Sequence, residues 1–208
     1  MPTKEKITIF LDRDGLITDD VNEAFRSKGF GPRGAENSLL RKLAYNPFKE
    51  LMFVSLHLRV ESAAQALKGG SLPPREGLID MAKGWIEEGK RKGVDVEIGI
   101  ITSNPTVDLE KLASLFKEAG VEAHAVRVKR SMDKGKYLGN LQGRNVLVDD
   151  NPFSFLRLDT EHKRNYGIAL RTDYTDMMRR AIVNLKGISN AKDLQELNDK
   201  VLELIRSS

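Results

Sequence analysis

Nine residues near the amino end, Ile7-Thr8-Ile9-Phe10-Leu11-Asp12-Arg13-Asp14-Gly15, constrain this chain more than any other stretch. Residues 7–11 are too short and too β-prone for a helix, so they predict a buried strand. The strand ends abruptly in two carboxylates one residue apart, then a glycine. Side chains alternate along a strand, so Asp12 and Asp14 can converge at its carboxyl end, with Arg13 directed elsewhere. Two carboxylates in one small space repel each other unless a cation lies between them. The stretch therefore asks for a hard divalent metal, Mg2+ above others. Gly15 lets the backbone turn sharply and leaves room beside the carboxylates.

An exposed Asp-Gly turn would use the same residue types. An EF-hand calcium loop fails on spacing. With Gly15 as its glycine, the first and last ligand positions fall on Phe10 and Val21, neither of which binds calcium. What separates a turn from a site is whether partners follow later in the chain.

After Gly15 the pattern changes. Residues 20–28 predict a short helix and residues 29–34 a loop. Helical spacing returns with Leu39, Leu40, Leu43 and Ala44. Asn46-Pro47 suits an N-cap and a first helical position, and Phe48, Leu51, Met52 and Leu58 continue the spacing to about residue 68. Gly69-Gly70 and Pro73-Pro74 close the block. Residues 20–70 thus form an all-helical insertion, leaving 1–19 and 71–208 as a core domain. In that core, elements alternate: helix 75–92, strand 94–101, helix 107–119, strand 121–128, a basic loop over 129–144 with one helical turn, strand 145–148, a strand at 167–171, and helices near 174–185 and 190–205. Strands alternating with helices predict an α/β fold, a three-layer Rossmann-like core with a parallel sheet flanked by helices. Helix 190–205 carries Leu194, Leu197, Val201 and Leu204, a face for the sheet or for a partner.

In such folds ligands bind outside the carboxyl ends of the strands. Strand 94–101 ends at Thr102-Ser103-Asn104-Pro105, where hydroxyls and backbone amides can form an anion site or simply cap a helix. Strand 145–148 ends at Asp149-Asp150. Adjacent acids at the end of an apolar strand are costly unless something positive binds them. Between these ends lie Lys129, Arg130, Lys134 and Lys136. Carboxylates from two strands can hold one Mg2+, a hydroxyl and amides can hold a phosphoryl group, and one lysine can neutralise charge on both phosphate and nucleophile. These are the parts phosphoryl transfer needs. The net charge of +4 favours anionic substrates in general, phosphate esters among them. Cysteine is absent, which excludes disulfides and thiolate chemistry.

The motifs LDRDG, IITSN, a lysine near 134 and VLVDDNP run in the order of the four motifs of the haloacid dehalogenase-like (HAD) superfamily, which the chain resembles over about 7–15 and 73–172. The resemblance implies a Mg2+-dependent phosphatase acting through an aspartyl-phosphate, with the 20–70 insertion as a helical cap. Asp12 would be the nucleophile and Asp14 the acid and base. Gly15, Thr102, Ser103 and Asn104 would help hold the phosphoryl group. Lys134, ahead of Lys129 and Lys136, would be the motif lysine. Asp12, the Asp14 carbonyl and Asp150, or else Asp149, would bind the metal. Capped relatives act mostly on small phosphorylated metabolites; Arg26, Lys28, Arg33, Arg41, Tyr45 and His57 are candidate contacts in the insertion, although exposed basic residues on helices usually just solvate and His57, between Leu56 and Leu58, also reads as structural.

A phosphomutase would use the same residues. A nucleotidase or polynucleotide 3′-phosphatase fits the pI near 9.2, but there is no aromatic-basic strip to track a nucleic-acid strand. No stretch approaches a membrane span and no apolar signal region opens the chain, so a cytoplasmic location is expected. The sequence leaves open the substrate, phosphatase against mutase, and the oligomeric state.

Overall fold

The structure, a computed structural model, describes residues 5–18, 74–105, 107–161, 164–172 and 187–208. The helical insertion expected at 20–70 and the helix expected near 174–185 lie outside the described residues.

The elements in chain order are β1 (Lys6–Asp12), α1 (Leu78–Lys92), β2 (Asp95–Thr102), α2 (Leu109–Glu118), β3 (Ala123–Arg127), α3 (Asp133–Gly139), β4 (Arg144–Asp149), a 3-10 turn (Pro152–Phe155), β5 (Asn165–Leu170), β6 (Ile188–Ala191) and α4 (Leu194–Arg206). The strands form one parallel sheet in the order β3-β2-β1-β4-β5-β6. This is the expected α/β architecture.

β1 lies in the middle of the sheet, and every residue of it except Lys6 is buried. Its side chains alternate between two cores. Ile7, Ile9 and Leu11 join the larger one, together with Trp85 of α1, Phe116 of α2 and Val201 of α4. Phe10 joins the smaller one, with Leu138 of α3 and Phe155 of the 3-10 turn. β4 repeats the pattern, with Val146 and Val148 on the first face and Leu147 on the second. A strand covered on both faces must be largely apolar, which is why β1 stands out as an apolar run broken only by Thr8. Each fully buried aliphatic or aromatic side chain contributes about 1.5–3 kcal/mol relative to exposure.

α4 settles where its apolar face goes. Leu197, Val201 and Ile205 are buried in the larger core, and Asn198 accepts a hydrogen bond from Trp85 Nε1 at 2.8 Å. That face is spent within the chain.

Three local expectations need correction. Residues 188–191 form the edge strand β6, where the sequence pattern begins a helix at 190. Ile188-Ser189-Asn190-Ala191 is too short and too polar to show as an apolar run, and its pairing with β5 makes it a strand. The basic loop contains a full seven-residue helix, α3, rather than one turn. α2 begins at Leu109, with Asp108 as its N-cap accepting from Lys111 N at 3.0 Å, so neither Ser103 nor Asn104 is its cap. No helix among the described residues is long and apolar enough to cross a membrane.

Candidate active site

From β1 the chain builds outward through β2 and β3, then returns to the other side of β1 to build β4, β5 and β6. The connections diverge between β1 and β4, and in sheets of this kind ligands bind at that point, outside the carboxyl ends of the strands. Asp12 ends β1 and Asp149 ends β4.

Strand alternation decides which way these acids face. Asp12 lies two residues beyond Phe10, and Asp149 two beyond Leu147, so both continue the face covered by α3. On α3, Lys134 precedes Leu138 by four residues and shares its stripe. Leu138 enters the smaller core, while Lys134 Nζ donates to Asp12 Oδ1 at 2.5 Å and to Asp149 Oδ2 at 2.7 Å. The lysine side chain is only 2% exposed. Gly135 fixes how closely α3 approaches: a Cβ there would lie 2.5 Å from Leu158 N. Lys129 and Lys136 are exposed.

Asp150 is buried beside the pair. Asp12, Asp149 and Asp150 each offer one oxygen within 4.8 Å of the others. Asp149 Oδ1 also accepts from Asn151 N at 2.7 Å, and Asn151 Oδ1 accepts from Phe153 N at 3.0 Å. That local turn gives Asn151-Pro152 a purpose: it aims the Asp149 carboxylate.

Beyond Asp12 strand geometry ends. Gly15 takes φ +89°, and Ile17 N and Thr18 N return to Asp12 O and Arg13 O at 3.1 and 3.0 Å. Alternation no longer applies, so Arg13 is not directed away, as the sequence suggested. Its guanidinium turns back to Asp14, with Nη1 donating to Oδ1 at 2.5 Å. Thr102 Oγ1 donates to Asp14 Oδ2 at 2.9 Å and accepts from Asn104 N at 3.0 Å. Asn104 Nδ2 donates to Asp14 Oδ1 at 3.3 Å. Ser103 is paired instead with the hydroxyl of Ser131, at 3.1 Å. Arg13, Arg75 and Ser131 thus belong to the neighbourhood although no sequence signal marks them as functional. Arg75 donates from Nη2 to Gly15 O at 2.6 Å. It follows Pro73-Pro74 directly, which gave a boundary signal and no functional one.

Burial pushes the Asp12 carboxyl well above the ordinary carboxylate range. Asp149 pushes it further, and the attraction of Lys134 does not offset the two. Asp150 is raised in the same way, first by burial and then by Asp149, against the pull of Arg75 and Lys134. Burial draws the Lys134 ammonium toward neutrality, but Asp12 and Asp149 together win and raise its pKa. Three buried carboxylates crowd here around one ammonium, with Arg75 as a second cation acting on Asp150, and each offers a hard oxygen donor. That donor set fits a hard divalent cation such as Mg2+.

A pH dependence follows. Groups whose folded pKa is raised stabilise the fold below their unfolded value, roughly 3.9 for Asp, and that contribution is lost as pH rises through the folded value. The metal-free protein is therefore expected to melt several degrees lower, roughly 5 °C, at pH 8 than near pH 5. Mg2+ should restore the difference at pH 8 and change little near pH 5. Thermal melts of wild type and Asp150→Asn check this: if the amide variant keeps the full pH slope, the acid cluster is not its source.

Gly15 carries a second expectation. A Cβ there would lie 2.2 Å from Asp150 Oδ2, on a backbone with positive φ. Gly15→Ala should cost about 1–3 kcal/mol of stability and displace Asp150. A Mg2+ titration read by melting temperature should show weaker stabilisation than in wild type.

No family model matches the chain, and no curated protein matches it. Among solved structures it is similar to a protein described as a haloacid dehalogenase-like hydrolase from Burkholderia xenovorans LB400, at 12% identity and TM-score 0.49, covering 94% of this chain and 96% of that one. It is similar to protein tyrosine kinase A of Mycobacterium tuberculosis at 16% identity and TM-score 0.47, covering 95% and 98%. It is also similar to the unknown transcript 4 protein of Saccharomyces cerevisiae at 11% identity and TM-score 0.37, covering 89% and 97%. At such identities and TM-scores the likenesses say nothing of chemistry, which has to be read from the site itself.

Proposed function

We propose that the chain is a HAD-like, Mg2+-dependent phosphatase that hydrolyses a phosphate monoester of a small metabolite through an aspartyl-phosphate on Asp12. The observation that carries this reading is the Lys134 ammonium held between Asp12 and Asp149 inside a buried three-acid cluster. A buried, cation-paired carboxylate at a strand end is costly as structure and useful as a nucleophile.

Asp12, the Asp14 carbonyl and Asp150 would hold the cation, which when bound neutralises charge on the phosphoryl oxygens. Asp149 has one oxygen on Lys134 and the other on Asn151 N–H, which supports giving it the positioning role and Asp150 the ligand role. Lys134 fixes the Asp12 oxygen it binds and offsets the negative charge of the incoming phosphate. Thr102 turns its hydroxyl to a phosphoryl oxygen. Asp12 attacks phosphorus, the bond to the leaving oxygen breaks, and Asp14 gives that oxygen a proton. Asp14 then takes a proton from water as the water oxygen attacks phosphorus and Asp12 is released.

The test is an acid quench during turnover of p-nitrophenyl phosphate with Mg2+, followed by peptide mass analysis. A phosphoryl group on Asp12, with inorganic phosphate as the product and chelation by EDTA abolishing turnover, is expected. Return of the phosphate to a second position of a substrate would make the chain a mutase. No turnover across a panel of phosphate monoesters would overturn the reading.

A further inference from the structure

Among the described residues Arg13 is one of the largest that are fully buried, at 1% exposure, although it sits in a turn between two acids. A turn arginine ordinarily reaches into water, and burying a guanidinium is costly unless it is paired. The backbone holds it in place. Arg13 N donates to Ile101 O at 3.2 Å, and Arg13 O accepts from Thr18 N at 3.0 Å and from Thr18 Oγ1 at 3.2 Å. The side chain then reaches Asp14 Oδ1 at 2.5 Å.

The two oxygens of Asp14 therefore differ. Oδ1 faces the Arg13 guanidinium and Asn104 Nδ2, nitrogens that only donate. Oδ2 faces the Thr102 hydroxyl, which can rotate and can also accept. A carboxylic acid proton has no room on an oxygen already met by two N–H donors. We infer that Arg13 is a positioning residue that orients Asp14 so that Oδ2 is the oxygen exchanging a proton with the leaving group.

This rests on the phosphatase reading. As the Asp12 Oδ–P bond forms and the bond from phosphorus to the leaving oxygen breaks, the proton on Asp14 Oδ2 passes to that oxygen. The leaving group departs as a neutral alcohol and Asp14 is left as a carboxylate. Thr102, having turned to the phosphoryl group, no longer occupies Oδ2. Without Arg13 the carboxyl group can rotate, and the proton is delivered badly.

Leaving-group dependence separates positioning from general damage. p-Nitrophenolate departs without needing a proton, whereas an alkoxide does need one. kcat/KM reports only the steps up to that departure, so slow hydrolysis of the intermediate does not enter. With Mg2+, Arg13→Met should lower kcat/KM for the best alkyl phosphate of a panel by about 100-fold, within the range of general acid catalysis. For p-nitrophenyl phosphate the loss should be under about tenfold by the same reasoning. Arg13→Lys, which keeps the buried charge, should recover part of the alkyl activity, and it serves as the test variant if the methionine protein does not fold. Asp14→Asn should show the same selective loss, and adding Arg13→Met to it should change the ratio little. Equal losses on both esters, or an unchanged ratio in Arg13→Lys and Arg13→Met alike, would overturn the inference. Wild type that hydrolyses neither ester would instead sink the phosphatase reading from which it starts.

Discussion

Asp12→Asn is expected to lose at least about a thousandfold in turnover and yet to melt higher than wild type in the absence of metal. The loss follows from chemistry, since an amide oxygen is too weak a nucleophile to form the aspartyl-phosphate. The gain follows from the balance at the strand ends. Burial and the neighbouring Asp149 carboxylate outweigh the attraction of Lys134, so the ionised Asp12 costs the metal-free fold free energy at neutral pH. An amide of the same shape removes that cost and still accepts from Lys134. The increase should be modest, roughly 3 °C at pH 7. It should vanish near pH 4, where Asp12 of wild type is protonated anyway. Mg2+ should stabilise the variant less than wild type, because one charged donor is gone. Full turnover by the variant would remove Asp12 from the mechanism. A lower metal-free melting temperature would mean that the Lys134 pair stabilises the fold more than crowding costs it.

The sheet was legible because buried parallel strands leave largely apolar, β-prone runs. β1, β2 and β4 carry such runs, and each appears within a residue of where the sequence places it. β6 does not, because an edge strand with two polar residues out of four needs only one covered side. α3 was less legible for a related reason. Its Asp133-Lys134-Gly135-Lys136 start looks like a solvated loop, whereas in the fold Lys134 and Leu138 are buried one turn apart and Gly135 lies close against the backbone at Leu158. That contact is tertiary and has no local signature.

The acids were legible for the opposite reason. Charges at the ends of apolar strands contradict their surroundings, and Asp12, Asp149 and Asp150 do gather within 4.8 Å. Among the lysines the sequence favours Lys134 only through the family resemblance, since spacing along a loop says nothing about which ammonium turns inward. Parity supplies the physical reason: Leu138 anchors α3 in the core beneath Phe10 and Leu147, and the residue one turn earlier meets the acids that extend the same face. The direction of Arg13 was not legible, because strand alternation stops one residue earlier than the pattern suggests, where the turn at Gly15 takes over.

Lys134→Met tests that arrangement from the cation's side. The ammonium lies 2.5 Å from Asp12 and 2.7 Å from Asp149, with almost no exposure. Methionine matches the length of the stem and packs beside Leu138, so what is lost is chiefly charge. Removing one partner of a buried ion pair costs about 3–5 kcal/mol, since the remaining charges stay buried and face each other. At this chain length that is roughly 10 °C in metal-free melting temperature. A divalent cation supplies the missing positive charge in part, so Mg2+ should raise the melting temperature of the variant by more than it raises that of wild type. Turnover should nevertheless stay low even in saturating Mg2+, by about a hundredfold or more, since nothing then fixes the Asp12 oxygen that Lys134 held. The two readouts divide the possible roles of the lysine. If Mg2+ restored stability and turnover together, Lys134 would be only a counter-charge. If Mg2+ stabilised the variant no more than wild type, the cation and the ammonium would not share the same acids, and the metal would have to be placed elsewhere.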